Sequence, residues 1–446
     1  MTINREEGGI AGQIARDLRE AVRSGRLASA TRLPASRELA RDLGVSRGAV
    51  VEAYEQLVAE GFLESRVGAG TRVALIAPVG SRSRDARSLP ESLDGYRPTS
   101  PDLGAFPRRA WLAALRQVLA TLPNDALDYG DPGGVRELRV ELAAYLRRVR
   151  AADVVPEDIV IVTGVAQGLS LSVHVLAKAK GRPIRLATEA PTSTRQEPLL
   201  RRAGAELAGV PVDAEGIDVG ALARTGADAV LLTPAHHYPT GVVLSPRRRA
   251  ELVAWAAATG AVILEDDYDA EFRFDRDPVG CLQGLAPGRV VFTGSVSKAL
   301  APGMRLGWLA APPALAAAVR RARAELDLGS PVLDQYTLAY FIRSGGYDRH
   351  LRRMRREYRV RRDALVTALA EHFPDVRVQG ISAGLHLYAE VDGDPAAFAG
   401  QAQAYGLAAE SAGQGVAIGF ACLSEHRIAG AVRAMAGVKG DPAGQG

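Results

Sequence analysis

Gly294-Ser295-Val296-Ser297-Lys298 stands about thirty residues after Glu265-Asp266-Asp267-Tyr268, and Arg305 follows the lysine by seven. Aspartate, tyrosine, lysine and arginine in this order are what a pyridoxal 5'-phosphate pocket requires. The amine of Lys298 can form an imine with the cofactor aldehyde. Asp266 can keep the pyridinium nitrogen protonated, which makes the ring an electron sink, and Arg305 can grip the phosphate through two hydrogen bonds. Tyr268 can hydrogen-bond the ring oxygen, and Ser295 and Ser297 can offer hydroxyls to the phosphate. Gly164-Val165-Ala166, directly after the apolar run Ile159 to Val162, can open a helix whose N-terminus attracts the same anion. A lone lysine in an S-x-S-K string is more often a surface residue, and an acidic cluster more often a solvated strand end. Their common order is what points to a ligand site at strand ends.

The rest of the composition bounds the answer. At 446 residues, two or three domains are expected. With 47% hydrophobic and 24% charged residues the chain is of the globular kind. It holds no apolar run long enough to span a membrane. The polar stretch Met1 to Glu7 argues against a signal peptide, so a cytoplasmic protein is expected. Cys281 and Cys422 lie far apart, as free thiols in a reducing compartment do. A net charge of +4 does not by itself imply a nucleic-acid partner.

Apolar residues Ile14, Leu18 and Val22 recur on one helical face. Leu33-Pro34 breaks the chain, Ser36 can cap a short helix through Leu43, and Gly44 makes a turn. Ser46 can cap a third helix striped by Val50, Tyr54, Leu57 and Val58, and Phe62 to Val73 reads as a hairpin. Three helices and a hairpin make a winged helix-turn-helix over residues 1–76. The aperiodic, Ser- and Arg-rich residues 77–95 read as a linker. From residue 96 to 446 short apolar runs alternate with helical stretches, which predicts a mainly parallel sheet covered by helices. Within that region a large part spans about 125–330 and a smaller α/β part about 331–446.

The second helix of a helix-turn-helix lies in the major groove, N-terminal end nearest the bases. Here that end is Ser46-Arg47-Gly48. Arg47 can reach a guanine edge or a phosphate, Ser46 and Arg37 the backbone, and Arg66 and Gly68 at the hairpin the minor groove or sugar–phosphate chain. A mere surface with scattered arginines remains the alternative on physics alone. Leu33-Pro34-Ala35-Ser36-Arg37-Glu38-Leu39-Ala40, Leu43-Gly44-Val45-Ser46-Arg47 and Tyr54-Glu55-Gln56-Leu57-Val58-Ala59-Glu60-Gly61 resemble the GntR-type winged-helix signature, which implies a double-stranded DNA operator as partner. Gly48-Ala49 departs from the Asn-Thr often found in that family.

Tyr129-Gly130-Asp131-Pro132-Gly133-Gly134, Thr233 to Gly241, Glu265 to Phe272 and Ser297 to Gly307 resemble the fold type I aminotransferases. The whole chain is similar to MocR/GabR-type transcriptional regulators. The resemblance implies Lys298 as Schiff-base lysine, Asp266 as pyridinium partner, Tyr268 at the ring oxygen, Arg305 at the phosphate, and a homodimer. It departs in two places: Ser193 stands where an aromatic often stacks on the ring, and Ala417 where amino-acid aminotransferases usually have a carboxylate-binding arginine. The function expected is a pyridoxal phosphate-dependent, DNA-binding transcriptional regulator that senses the cofactor or a small amine forming an imine with it. The competing reading is an active aminotransferase, with Lys298 catalytic, carrying an accessory DNA arm. His236 and His237 are expected in supporting roles and His174 in packing. No metal is expected. The arginine-rich helix Tyr347 to Leu369 reads as solvated or dimer-facing, with nucleic-acid contact as the alternative.

Overall fold

The computed structural model describes residues 4, 9–66, 70–75, 97–274 and 279–437. The expected linker and Gly68 lie outside them. The chain forms two compact units, Met1–Asp94 and Gly95–Gly446.

The first unit runs α1 (Ile10–Arg23), α2 (Ser36–Leu43), α3 (Arg47–Ala59), then β1 (Leu63–Arg66) paired antiparallel with β2 (Gly70–Val73). Ile14, Leu18, Val50, Ala53, Tyr54 and Leu57 form its core, joined by Leu63 and Val73 from the hairpin. Gly44 takes the left-handed φ of 63° that lets α2 turn sharply into α3. Two expectations need correction. Ser36 is the first residue of α2, not its cap: Ala35 holds that position, and no side chain caps the helix. Val58 is 38% exposed, because one residue past Leu57 turns it about 100° out of the buried stripe.

The second unit begins with α4 (Arg108–Thr121) and α5 (Arg136–Arg150). An eight-stranded sheet follows, built of β3 (Ile159–Val162), β4 (Ile184–Ala190), β5 (Ala205–Asp213), β6 (Gly216–Ile217), β7 (Ala229–Leu232), β8 (Val262–Asp266), β9 (Val290–Ser295) and β10 (Gly307–Ala310). Its order is β3-β10-β9-β8-β7-β4-β5-β6. The central strands β5, β4, β7, β8 and β9 are parallel, while β10 runs antiparallel between β9 and β3. Helix α6 (Val165–Lys180) leaves the end of β3. The strands are apolar on both faces because both are covered. Ile159 and Ile161 pack with Leu138, Leu142 and Leu146 of α5 on one side. Val160 and Val162 pack with Leu169 and Val173 of α6 on the other. His174, expected in packing, lies on α6 but is exposed, one position past that buried face.

The long helix Gly346–His372 leads to the smaller part. There β11 (Arg377–Gln379), β12 (His386–Glu390), β13 (Ala408–Ala412) and β14 (Gly415–Gly419) form an antiparallel sheet of order β11-β12-β14-β13. Among the described residues no helix is long and apolar enough to cross a membrane.

Candidate functional site

Parallel strands end together, and the carboxyl ends of β4, β7 and β8 open onto one cleft of about 400 Å³. Thr188, Leu231, Leu232 and Asp266 line it from those ends, with Tyr268 and Lys298 from the segments that follow β8 and β9. Asp266 is half-buried, its open side toward the cleft, but its Oδ1 is shielded and has no hydrogen-bond partner. Burial, and next the charge of Asp267, push its carboxyl up to about 7, while Lys298 pulls it down. Lys298 Nζ donates to Thr99 Oγ1 at 3.1 Å. Burial lowers the Lys298 ammonium below the usual lysine range, against the pull of Asp269 and Asp266. A lysine so placed yields neutral amine more readily than a solvated one.

The Tyr268 hydroxyl is 3.1 Å from His236 Nδ1, which is 2.9 Å from Asp269 Oδ2. Burial raises the Tyr268 phenol well above its ordinary value, so it stays protonated and can donate. Ser295 ends β9 and is buried, and its Oγ accepts from Ser297 N–H at 3.3 Å. Gly164 opens α6 with φ 103°, no side chain caps that end, and its first turn carries no acid. The guanidinium of Arg305 donates to the Thr163 carbonyl and lies so close that a Cβ on Gly164 would sit 2.9 Å from it. Helix N-terminus and guanidinium thus meet at one point, as an anion site needs. Of the expected residues Ala166, Asp266, Tyr268 and Lys298 line the cleft itself, whereas Arg305, Ser295, Ser297, Gly164 and Val165 do not.

The donor set fits pyridoxal phosphate. An orphaned carboxylate oxygen suits a protonated ring nitrogen, a depressed lysine suits an aldehyde, and the uncapped α6 terminus beside Arg305 suits a phosphate.

The two departures have defined places. Ser193 lines the cleft. Ala417 is fully buried in β14 and does not line it; its cross-strand partner Glu410 does, accepting from the Tyr238 hydroxyl at 3.0 Å. Arg97, Thr99, Arg195 and Tyr238 also line the cleft and were not anticipated. Glu410 is found only through the register of β13 against β14, and Arg97 and Thr99 carry no motif.

His236 and His237 are buried and do not line the cleft. His236, Asp269 and His386 bring ligand atoms within 4.8 Å of one another, from three segments whose spacing suggested no such cluster. Burial lowers the His386 imidazole well below its ordinary range, so it is neutral. On the arginine-rich helix, Arg355 donates to the Glu271 carbonyl and Arg361 to Asp102, while Arg349, Arg352, Arg356 and Arg359 are exposed.

In the first unit, Ser46 caps α3 as expected, its Oγ accepting from Ala49 N–H at 3.2 Å. Arg47 and Gly48 follow on the first turn, exposed, and Arg37 and Arg66 are exposed too. The Tyr54 hydroxyl donates to the Pro34 carbonyl at 2.9 Å and so ties α3 to the start of α2. Arg32 and Arg72, joined by a β-bridge at the base of the hairpin, add two exposed cations that the motif reading passed over.

Comparison with known proteins follows the same division. The family described as aminotransferase class I and II matches residues 101–420, and bacterial regulatory proteins of the gntR family match residues 10–73. The chain is 36% identical over 388 residues to the HTH-type pyridoxine biosynthesis transcriptional regulator PdxR of Corynebacterium glutamicum, covering 85% of this chain and 83% of that one. It is 32% identical over 401 residues to the probable rhizopine catabolism regulatory protein MocR of Rhizobium meliloti, covering 84% and 80%. Among solved structures it is similar to a multiple substrate aminotransferase from Thermococcus profundus, with TM-score 0.70 and 25% identity, covering 81% of this chain and 95% of that one.

Proposed function

We propose, since this chain belongs to the MocR-type transcriptional regulators, a gntR-family winged helix followed by an aminotransferase class I and II domain, that pyridoxal phosphate held at Lys298 sets its grip on operator DNA. One observation carries the reading: Asp266, with one carboxylate oxygen shielded and unpartnered, lines a cleft that also holds a lysine of lowered pKa. When bound, pyridoxal phosphate supplies an aldehyde for a primary amine and a ring that withdraws its electrons.

The chain's own residues divide the work. Asp266 holds the ring nitrogen protonated, and its raised pKa falls back once that cation faces it. Tyr268 donates to the ring oxygen, backed by His236 and Asp269. Arg305, the hydroxyls of Ser295 and Ser297, and the amides of Gly164, Val165 and Ala166 hold the phosphate. Ser46, Arg47 and Gly48 at the start of α3, with Arg37 and Arg66, hold the DNA; Gly68 belongs to the same set from the sequence alone. The acting form is a cytoplasmic homodimer with residues 77–95 as linker.

The effector is pyridoxal phosphate itself or a small amine that lacks an α-carboxylate. Ala417 offers no cation to such a carboxylate and its neighbour Glu410 lines the cleft beside it, which leaves Arg97 and Arg195 as the cations on the cleft wall. The curated name of the Corynebacterium relative, a pyridoxine biosynthesis regulator, agrees with the cofactor as signal. A ligand shifts such a regulator only through different affinities for its two states. Operator binding measured with and without pyridoxal phosphate, for wild type and Lys298→Ala, tests this. The expected result is at least a fivefold change with cofactor in wild type and none in the variant, the lower end of ordinary coupling. Equal affinity and footprint in all four arms would refute it.

A further inference from the structure

We propose that Thr99 is a positioning residue that competes with the cofactor for Lys298, so that the segment Arg97–Ser100 reads the state of that lysine. The proposal rests on the reading of Lys298 given above.

Lys298 Nζ donates to Thr99 Oγ1 at 3.1 Å, and Arg97 and Thr99 both line the cleft. The segment is fixed from the other side. Pro98 is buried against Gly419 so closely that a Cβ there would lie 2.5 Å from the Pro98 carbonyl oxygen. Cys422 Sγ donates to the Ser100 carbonyl at 3.0 Å. Asp102 accepts from Arg361 at 2.8 Å, and its own N–H donates to the Tyr358 hydroxyl at 2.9 Å. What remains to respond to the cleft is Arg97 and the hydroxyl of Thr99. In sequence this segment comes directly after residues 76–96, which connect it to the winged helix.

A free ammonium carries three N–H donors and, where water is scarce, holds tightly to a nearby oxygen. When Lys298 captures an aldehyde, a C=N bond forms and the aldehyde oxygen leaves as water with two hydrogens from the nitrogen. At most one N–H would be left of the three, so Lys298 would no longer offer Thr99 a free ammonium. The Thr99 tie and cofactor capture therefore exclude each other, and each weakens the other by the same factor.

The test uses the full chain with Thr99→Val, which keeps the shape and removes the hydroxyl, and Thr99→Ser, which keeps the hydroxyl. Pyridoxal phosphate affinity is read from absorption, and operator affinity is read with and without cofactor. Thr99→Val is expected to bind pyridoxal phosphate about tenfold more tightly, the scale of one charge-assisted hydrogen bond. Its cofactor-free operator affinity should move toward that of loaded wild type, and Thr99→Ser should follow wild type. If valine at this position prevents folding, Thr99→Ala takes its place. Unchanged cofactor affinity in Thr99→Val, or a serine variant that behaves like valine, overturns the proposal alone. A wild type that takes up no pyridoxal phosphate overturns this proposal and the function reading together.

Discussion

A carboxylate oxygen without a hydrogen-bond partner is costly where water is excluded, and Asp266 Oδ1 is held in that position, the carboxyl's pKa pushed up to about 7 chiefly by burial. In the unfolded chain the same group releases its proton near pH 4. Between those values the folded state binds the extra proton, so this residue's contribution to stability declines as pH rises through the window. Asp266→Asn, always neutral, should stabilise the cofactor-free protein more at pH 8 than at pH 5, by a difference of roughly 2–3 kcal/mol. Once pyridoxal phosphate is present the sign reverses, because asparagine cannot hold a protonated ring nitrogen; the variant should gain less unfolding free energy from the cofactor than wild type does. Denaturant titrations at both pH values, with and without cofactor, measure all four quantities. A variant less stable than wild type at pH 8 without cofactor would contradict this account of Asp266.

At the level of elements, the start of α6 combines three features: a glycine at φ 103°, no capping side chain, and the Arg305 guanidinium alongside. Any L-residue at position 164 strains the backbone, and its Cβ presses on that guanidinium. Gly164→Ala should therefore weaken pyridoxal phosphate binding by at least tenfold while operator binding without cofactor stays as in wild type. Titration of both ligands separates the two effects, and cofactor affinity equal to wild type would remove α6 from the phosphate site.

At the scale of the whole molecule the chain has two compact units with separate cores, so damage to one ligand's site should spare the other. Arg47 stands exposed at the first position of α3. If it meets a phosphate, Arg47→Ala should reduce the slope of log affinity against log salt by about 0.9. If it reads a guanine, about 1–3 kcal/mol of discrimination at one base pair should vanish instead. In both cases cofactor affinity should stay unchanged. Operator titrations over a salt series decide between them, and operator binding unaffected in both affinity and slope would exclude Arg47 from the interface.

Much of this protein was legible from local order in the sequence. The cap at Ser46, the turn at Gly44, the run Ile159–Val162 and the placing of Asp266 at the end of β8 and Lys298 just past β9 follow from propensity, periodicity and motif, which act over a few residues. The family resemblance of both units rested on the same short stretches. Ser36, Val58 and His174 were misread because a cap and a helical face are decided within one residue, or about 100°, a finer grain than pattern reading resolves. The tie between Thr99 and Lys298, Glu410 beside the absent arginine at Ala417, and the meeting of His236, Asp269 and His386 join segments far apart in the chain. No local rule sets those distances; strand order and register do. The sequence by itself determined which chemistry the chain can hold, because residue type decides what can bond to what. Only the tertiary structure decided which groups stand unpaired around the lysine, because burial and proximity come from packing across the whole sheet.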